Sequence, residues 1–279
     1  MKKERSKKLG YKNLQEIKNK FIGESICIIG NGPSLSKVDL NKIRFKTMAM
    51  NRISLLYKEQ NWIPDFFVST TIMPLHSNVW REDIIKSLNL VNNSFVSNET
   101  SDYLPSSKSY YTFDCKCGNM GYFGEKPSLD LWTENCDIEP ISKFGTSLLV
   151  ACQLSIFMGF KCIYLIGCDM GWKNTSYFER GLNKIKKMSL LKNFVNNNEI
   201  LKKTFKKGIH NEVNNNLEHF SNSYDTPWSN GYLINKNMLV AHEVLSMASK
   251  KYKFQVFNCT LGGYLEIHPR LPLDYILKD

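Results

Sequence analysis

The sequence predicts an α/β fold: a single Rossmann-like domain, with a mostly parallel sheet, helices on both faces and a basic lid segment. Three observations predict it. Short, continuously apolar runs such as Ser25–Ile29 and Lys161–Ile166 alternate with helical periodicities, as strands buried on both faces of a parallel sheet do. Each of these runs stops abruptly at small, hydrogen-bonding residues. The composition, 42% hydrophobic and 23% charged over 279 residues, is that of a globular chain with a sizeable core.

The elements follow in order. Residues 1–20 form a basic N-terminal arm or first helix, and residues 21–279 form the domain. Ser25–Ile29 is the first buried strand, and a helix capped near Ser34 or Ser36 follows it. Thr47–Met50 is a second strand, residues 64–70 a third, Glu82–Leu88 a helix and Ser94–Ser97 a strand. Residues 101–140 read as irregular. Thr146 caps an apolar helix running to Phe160. Interrupted by Gln153, this run is too short to span a bilayer. Lys161–Ile166 is the clearest buried strand. His242–Lys251 is a helix, Phe254–Phe257 a strand, and Gly262-Gly263 a turn.

The net charge of +11 is concentrated in two segments. Residues 1–20 carry seven Lys, Arg5 and two acids; residues 182–216 carry eight Lys and two acids. Each segment is +6, so the rest of the chain is nearly neutral at −1. That distribution argues against a nucleic-acid-binding protein, which needs a basic face on its body. The segments suit anionic phosphate, an anionic membrane surface, or simply water. In 182–216, Leu182, Ile185, Met188, Leu191 and Val195 recur at helical spacing among the lysines. Such a helix covers a site, lies on a membrane or packs on the domain; its composition favours the lid. With no signal peptide at the start of this sequence, the expected location is cytoplasmic, either free or peripheral on the inner face of the membrane.

The eight cysteines sit mostly in apolar runs and read as core thiols of a reducing compartment. Cys115 and Cys117, with Cys136 beyond, lack the second paired knuckle of a zinc site. No metal and no cofactor are expected.

Gly30-Asn31-Gly32-Pro33-Ser34 stands between a strand and a helix. Glycines allow close backbone approach and leave amides at a helix start, suited to phosphate. The third glycine of a dinucleotide fingerprint is Leu35, and the second strand ends in Asn51 without an acidic ribose clamp. Asp169, after Gly167 and Cys168, either accepts from sugar hydroxyls or orders its loop. Trp172 and Tyr177 either face a phosphate or pack under the mobile segment. Among five histidines, only His219 lies between the lid and an aromatic cluster, where a neutral imidazole suits a general base. Asp-x-Asp, P-loop and Gly-x-Ser-x-Gly motifs are absent.

Ile28–Leu35, Met50-Asn51-Arg52, Gly145-Thr146-Ser147 and Ile163–Asp169 resemble blocks of the bacterial sialyltransferases of glycosyltransferase family 42. They also resemble the 6-hydroxymethylpterin pyrophosphokinase-like (MptE-like) proteins and motility accessory factors. Phe257–Gly263 and His219-Phe220 are closer to that broader group. The resemblance implies a metal-independent, inverting transfer of a sialic-acid-like sugar from a CMP-sugar donor to a cell-surface glycan or glycolipid acceptor. It implies a nucleotide pocket of Gly30, Asn31, Gly32, Pro33, Ser34, Asn51, Thr70, Thr146, Ser147, Gly167, Asp169 and Trp172. Tyr177 would face the departing phosphate and His219 would be the base. Two departures concern the donor sugar: Thr70 or Thr71 replaces an asparagine, and Gly171 replaces a loop tyrosine, with Trp172 beside it. A homo-oligomer is compatible with this scheme. The alternative is a pterin pyrophosphokinase using ATP and magnesium, which needs clustered carboxylates near the phosphates; Ser69-Thr70-Thr71 supplies none.

Overall fold

A computed structural model describes residues 11–70, 78–105, 109–116, 126–170 and 231–278. The strands are β1 (Tyr11–Lys12), β2 (Ser25–Ile29), β3 (Lys46–Met50), β4 (Phe66–Ser69), β5 (Asn93–Ser97), β6 (Tyr110–Phe113), β7 (Cys115–Lys116), β8 (Ile141–Ser142), β9 (Cys162–Ile166) and β10 (Gln255–Asn258). The helices are α1 (Leu55–Gln60), α2 (Asn78–Leu90), α3 (Asn98–Ser101), α4 (Ser147–Phe157) and α5 (Gly231–Tyr252). Eight strands form one parallel sheet in the order β1-β6-β5-β4-β3-β2-β9-β10. This is a Rossmann-type α/β architecture.

Alternate residues of each strand feed two cores. Ile26, Ile28, Met48, Phe66, Val68, Ile163 and Leu165 pack with α4 and α5 on one face. Cys27, Ile29, Ala49, Phe67 and Ile166 pack with Leu56 of α1 and with Ile84 and Leu88 of α2 on the other. Burial on both faces is why these strands read as unbroken apolar runs. Gln153, the polar interruption in α4, is fully buried. Its amide oxygen accepts from the Thr133 amide, and its nitrogen donates to the Ser142 and Leu149 carbonyls. It ties irregular chain to the helix that the run was expected to form.

Four expectations change. Residues 11–20 are not a detachable arm. Tyr11–Lys12 pairs with β6, and the Leu14–Ile17 turn buries both of its end residues; residues 1–10 of the expected arm lie outside the described residues. Tyr110–Phe113, inside the stretch read as irregular, is an internal strand between β1 and β5. Its short aromatic run is flanked by serines and lysine, which hides its pattern. Pro33–Lys37 is a 3-10 turn, not an α-helix. Pro33 starts it, and the chain becomes extended again at Val38. Helix α5 begins at Gly231, eleven positions before His242, because low-propensity glycine and asparagines mask its first turns.

On the α1/α2 face, the outer strands are covered by the C-terminal segment, not by a helix. Ile43 and Leu277 form an antiparallel bridge, the Arg44 amide donates to the Ile276 carbonyl at 3.0 Å, and Phe45, Tyr164 and Phe257 stack in sequence beneath. The Arg44 guanidinium lies against the Phe45 and Tyr275 rings.

On the opposite side, His242 of α5 and His268 meet at 3.1 Å between Nδ1 and Nε2, both buried. One imidazole donates and the other accepts, which requires the accepting ring to be neutral and excludes two imidazolium rings. Burial, reinforced by His268, pushes His242 down to about 3, and burial pushes His268 down to about 4. The unfolded chain therefore binds protons first. This contribution to stability is complete above about pH 6.5 and is lost as pH falls towards 4, at up to about 1.4 kcal/mol per histidine per unit. Urea midpoints between pH 7 and 4 should fall steeply, and a His242→Phe/His268→Leu double variant should show a shallower slope; equal slopes would contradict this account.

Candidate functional site

The strand order reverses direction between β2 and β9. In open α/β sheets the ligand crevice lies beyond the carboxyl ends at such a switch point. Two turns meet there. The Gly30 amide donates to the Ile166 carbonyl and the Gly32 amide to the Gly167 carbonyl, each at 2.8 Å. A Cβ on Gly30 would collide with the Gly167 carbonyl oxygen, and one on Gly32 would overlap the Asp169 carboxylate. Gly167 itself has φ 63°. The glycines are required because two backbones pass in contact.

Asp169 completes the junction. Its Oδ1 accepts from the Ser34 amide at 3.1 Å, and its Oδ2 accepts from the Ser34 hydroxyl at 2.8 Å. Burial pushes the carboxyl above its ordinary range, opposed by those two bonds and by the charge of Lys37. Of the two readings of Asp169, the loop-ordering one is what the geometry displays. The amides of Gly30, Gly32 and Ser34 donate inside the fold, and Pro33 has none, so these positions of the turn contribute to the junction between the two backbones.

The remaining polar groups line the same edge. Asn31 Nδ2 donates to the Met50 carbonyl at 3.3 Å, linking the first turn to the end of β3. Asn51 follows in the left-handed region at φ 56°. Its Oδ1 is buried and has no hydrogen-bond partner among the described residues. Beyond β4, the Thr70 and Ser147 hydroxyls bond at 2.9 Å. Thr146 caps α4, its hydroxyl accepting from the Leu148 amide at 3.2 Å. Gly145 has φ 72°, and a Cβ there would strike the Asn237 carbonyl of α5. Gly30, Asn31, Gly32, Pro33, Ser34, Asn51, Thr70, Thr146, Ser147, Gly167 and Asp169 are thus brought to one edge of the sheet. Trp172, Tyr177, His219 and the 182–216 segment lie outside the described residues.

Tyr264 and Arg270 went unnoticed in the sequence, whereas Thr260 lies in the block Phe257–Gly263 already singled out there. The loop after β10 buttresses Asp169: the Tyr264 amide donates to the Asp169 carbonyl at 2.7 Å, and the Cys168 amide donates to the Thr260 hydroxyl at 3.1 Å. Arg270 holds that loop by donating to the carbonyls of Thr260, Gly262 and Gly263. The paired glycines at 262–263 were the available signal; Arg270 gave none. Among the described residues, no cluster of three or more His, Cys, Asp or Glu side chains is arranged to hold a metal ion. No described helix is long and apolar enough to cross a membrane.

The family model described as 6-hydroxymethylpterin diphosphokinase MptE-like matches residues 4–175. No curated protein matches the chain. Among solved structures, the MAf glycosyltransferase from Magnetospirillum magneticum AMB-1 is 13% identical with a TM-score of 0.48, covering 98% of this chain and 40% of that one. This chain therefore spans less than half the length of that protein. The Campylobacter jejuni sialyltransferase CstII with cytidine-5'-monophosphate is 14% identical with a TM-score of 0.45, covering 92% and 88%. Its complex with CMP-3FNeuAc is 15% identical with a TM-score of 0.44, covering 91% and 88%.

The junction sets a testable energetic pattern. Gly32→Ala should destabilise by about 2 kcal/mol through overpacking, and Asp169→Ala by about 2–3 kcal/mol through the stranded Ser34 amide. Because the alanine methyl would occupy the space of the missing carboxylate, the double variant should lose less than the sum by more than about 0.5 kcal/mol. Denaturant unfolding of the three variants measures this; strict additivity would refute the shared contact.

Proposed function

The chain belongs to the MptE-like family, and from that premise we propose that it is a glycosyltransferase. It moves a sialic-acid-like sugar from a CMP-sugar donor to a glycan acceptor, with inversion and without a metal ion. One observation carries the reading. The described crevice edge offers hydroxyls and carboxamides from Asn31, Asn51, Thr70, Thr146 and Ser147, while Asp169, the carboxylate that meets the Gly30–Ser34 turn, is committed to Ser34. A donor set of this kind suits the single phosphate of CMP better than the triphosphate–magnesium group of ATP, which asks for carboxylate ligands. The motif resemblance of Ile28–Leu35, Met50–Arg52 and Ile163–Asp169 supports the same choice.

In the proposed reaction the acceptor hydroxyl attacks the anomeric carbon from the face opposite the nucleotide. The new carbon–oxygen bond forms as the bond to the phosphate oxygen breaks, and CMP leaves with the electron pair. His219 takes the acceptor proton, and Tyr177 donates a hydrogen bond to the departing phosphate. Trp172 screens the leaving group from water. The roles of His219 and Tyr177 follow from the family resemblance of their positions; that of Trp172 follows from its place beside Gly171, where the sequence departs from that resemblance.

A second reading is diphosphoryl transfer from ATP to a hydroxymethylpterin. It is favoured by the description of the family whose model matches.

Calorimetric titration with CMP, UDP, GDP and ATP, each with magnesium or with EDTA, separates the two. CMP should bind, and EDTA should leave its affinity unchanged. Magnesium-dependent ATP binding without CMP binding would favour the second reading. His219→Ala should keep CMP affinity and lose about 10²–10⁴ in turnover per folded molecule. A variant that melts early yet turns over normally would remove His219 from the mechanism.

A further inference from the structure

The turn that ends β3 is anchored more heavily than four residues require. Asn51 opens it at φ 56°, a conformation that asparagine tolerates better than most residues. Arg52 follows and is 2% exposed. Its Nε donates to Asp83 Oδ2 on α2 at 2.6 Å, and its guanidinium lies 5.3 Å from the centre of the Trp80 ring. The Ser54 hydroxyl donates to the other oxygen, Asp83 Oδ1, at 3.3 Å. Lys86, one turn further along α2, donates from Nζ to the Ser54 carbonyl at 3.1 Å. Residues on both sides of Ile53 are therefore tied to one carboxylate.

A buried ion pair is a poor source of net stability, because its desolvation offsets most of its attraction. It does impose direction: a planar guanidinium on a carboxylate admits few orientations. What stands at the end of this device is the Asn51 carboxamide, whose Oδ1 is buried without a partner among the described residues. We propose that the Arg52–Asp83 pair is a positioning device that holds Asn51 in its left-handed turn and aims its carboxamide at the nucleotide. Arg52 and Asp83 act through Asn51 and need not touch the ligand. The proposal rests on the reading of the crevice as a CMP site.

The test has one arm without ligand and one with it. In the ligand-free protein, Asp83→Asn should speed hydrogen exchange of the residue 51–55 amides about tenfold and leave the β3 amides unchanged, a local effect of the usual coupling size. Unchanged exchange at 51–55 would overturn the proposal. With CMP as the probe, Asp83→Asn should weaken binding about tenfold in the wild-type background and cause no further loss in an Asn51→Ala background. Equal losses in both backgrounds, or no loss in either, would overturn it, because a merely structural pair changes melting temperature and not this coupling. Arg52→Lys keeps the charge without the planar fork and should give smaller losses in both arms; it carries the test if Asp83→Asn does not fold. If wild-type protein binds no CMP, the nucleotide reading fails, and the exchange arm still decides whether the pair holds the turn.

Discussion

The contact between two backbones at Gly30 and Gly167 governs the rest of the site. Without side chains at Gly30 and Gly32, the turns after β2 and β9 approach closely enough to exchange amide–carbonyl hydrogen bonds. Asp169 then reaches across to Ser34 with both oxygens. The 260–264 loop is drawn in against Asp169 from the other side, held by Arg270. The switch point of the sheet is thus a rigid floor and not a mobile loop.

That rigidity assigns the polar groups to different tasks. Those of Gly30, Gly32, Ser34 and Asp169 maintain the fold, while the side chains of Asn31, Asn51, Thr70, Thr146 and Ser147 flank the crevice. A buried acid that already accepts two hydrogen bonds has little left to draw a cation, and burial disfavours its charged form. The described edge is consequently a nearly neutral surface of hydroxyls and amides. Selectivity on such a surface comes from hydrogen-bond direction more than from charge.

Much of this was legible in the sequence, for identifiable reasons. Strands β2, β3, β4 and β9 are buried on both faces, so composition alone marks them, and the glycines and small polar residues after them mark the crevice. Other features left no local trace. β6 is a short aromatic run whose strand character depends on neighbours at positions 11 and 95. The Arg52–Asp83 pair joins a turn to a helix, and neither residue is unusual in its own window. The sequence left Asp169 open between ligand and loop, and its bonds to Ser34 join residues 135 positions apart, which no local pattern shows. Long-range pairing is what sequence patterns omit, and β6 and the Arg52–Asp83 pair were missed for that reason; the 3-10 turn at Pro33 and the early start of α5 were missed for local ones.

The strand order also has a consequence for how the protein is made. A chain synthesised from its amino terminus has β2 through β6 in hand before β9 exists. Until residues 162–166 arrive, one full edge of β2, with Ile26, Cys27, Ile28 and Ile29, is unpaired. It is a parallel, apolar edge of the kind that invites wrong partners. The outer strands wait longer still, because the aromatic column beside Phe45 is sealed only by residues 271–277. The same topology that builds a crevice at the middle of the sheet leaves that middle to close late. Growth in the cell therefore passes through a half-sheet in which the Asn51 turn already has its partners on α2, while the Gly30 turn still waits for Ile166 and Gly167.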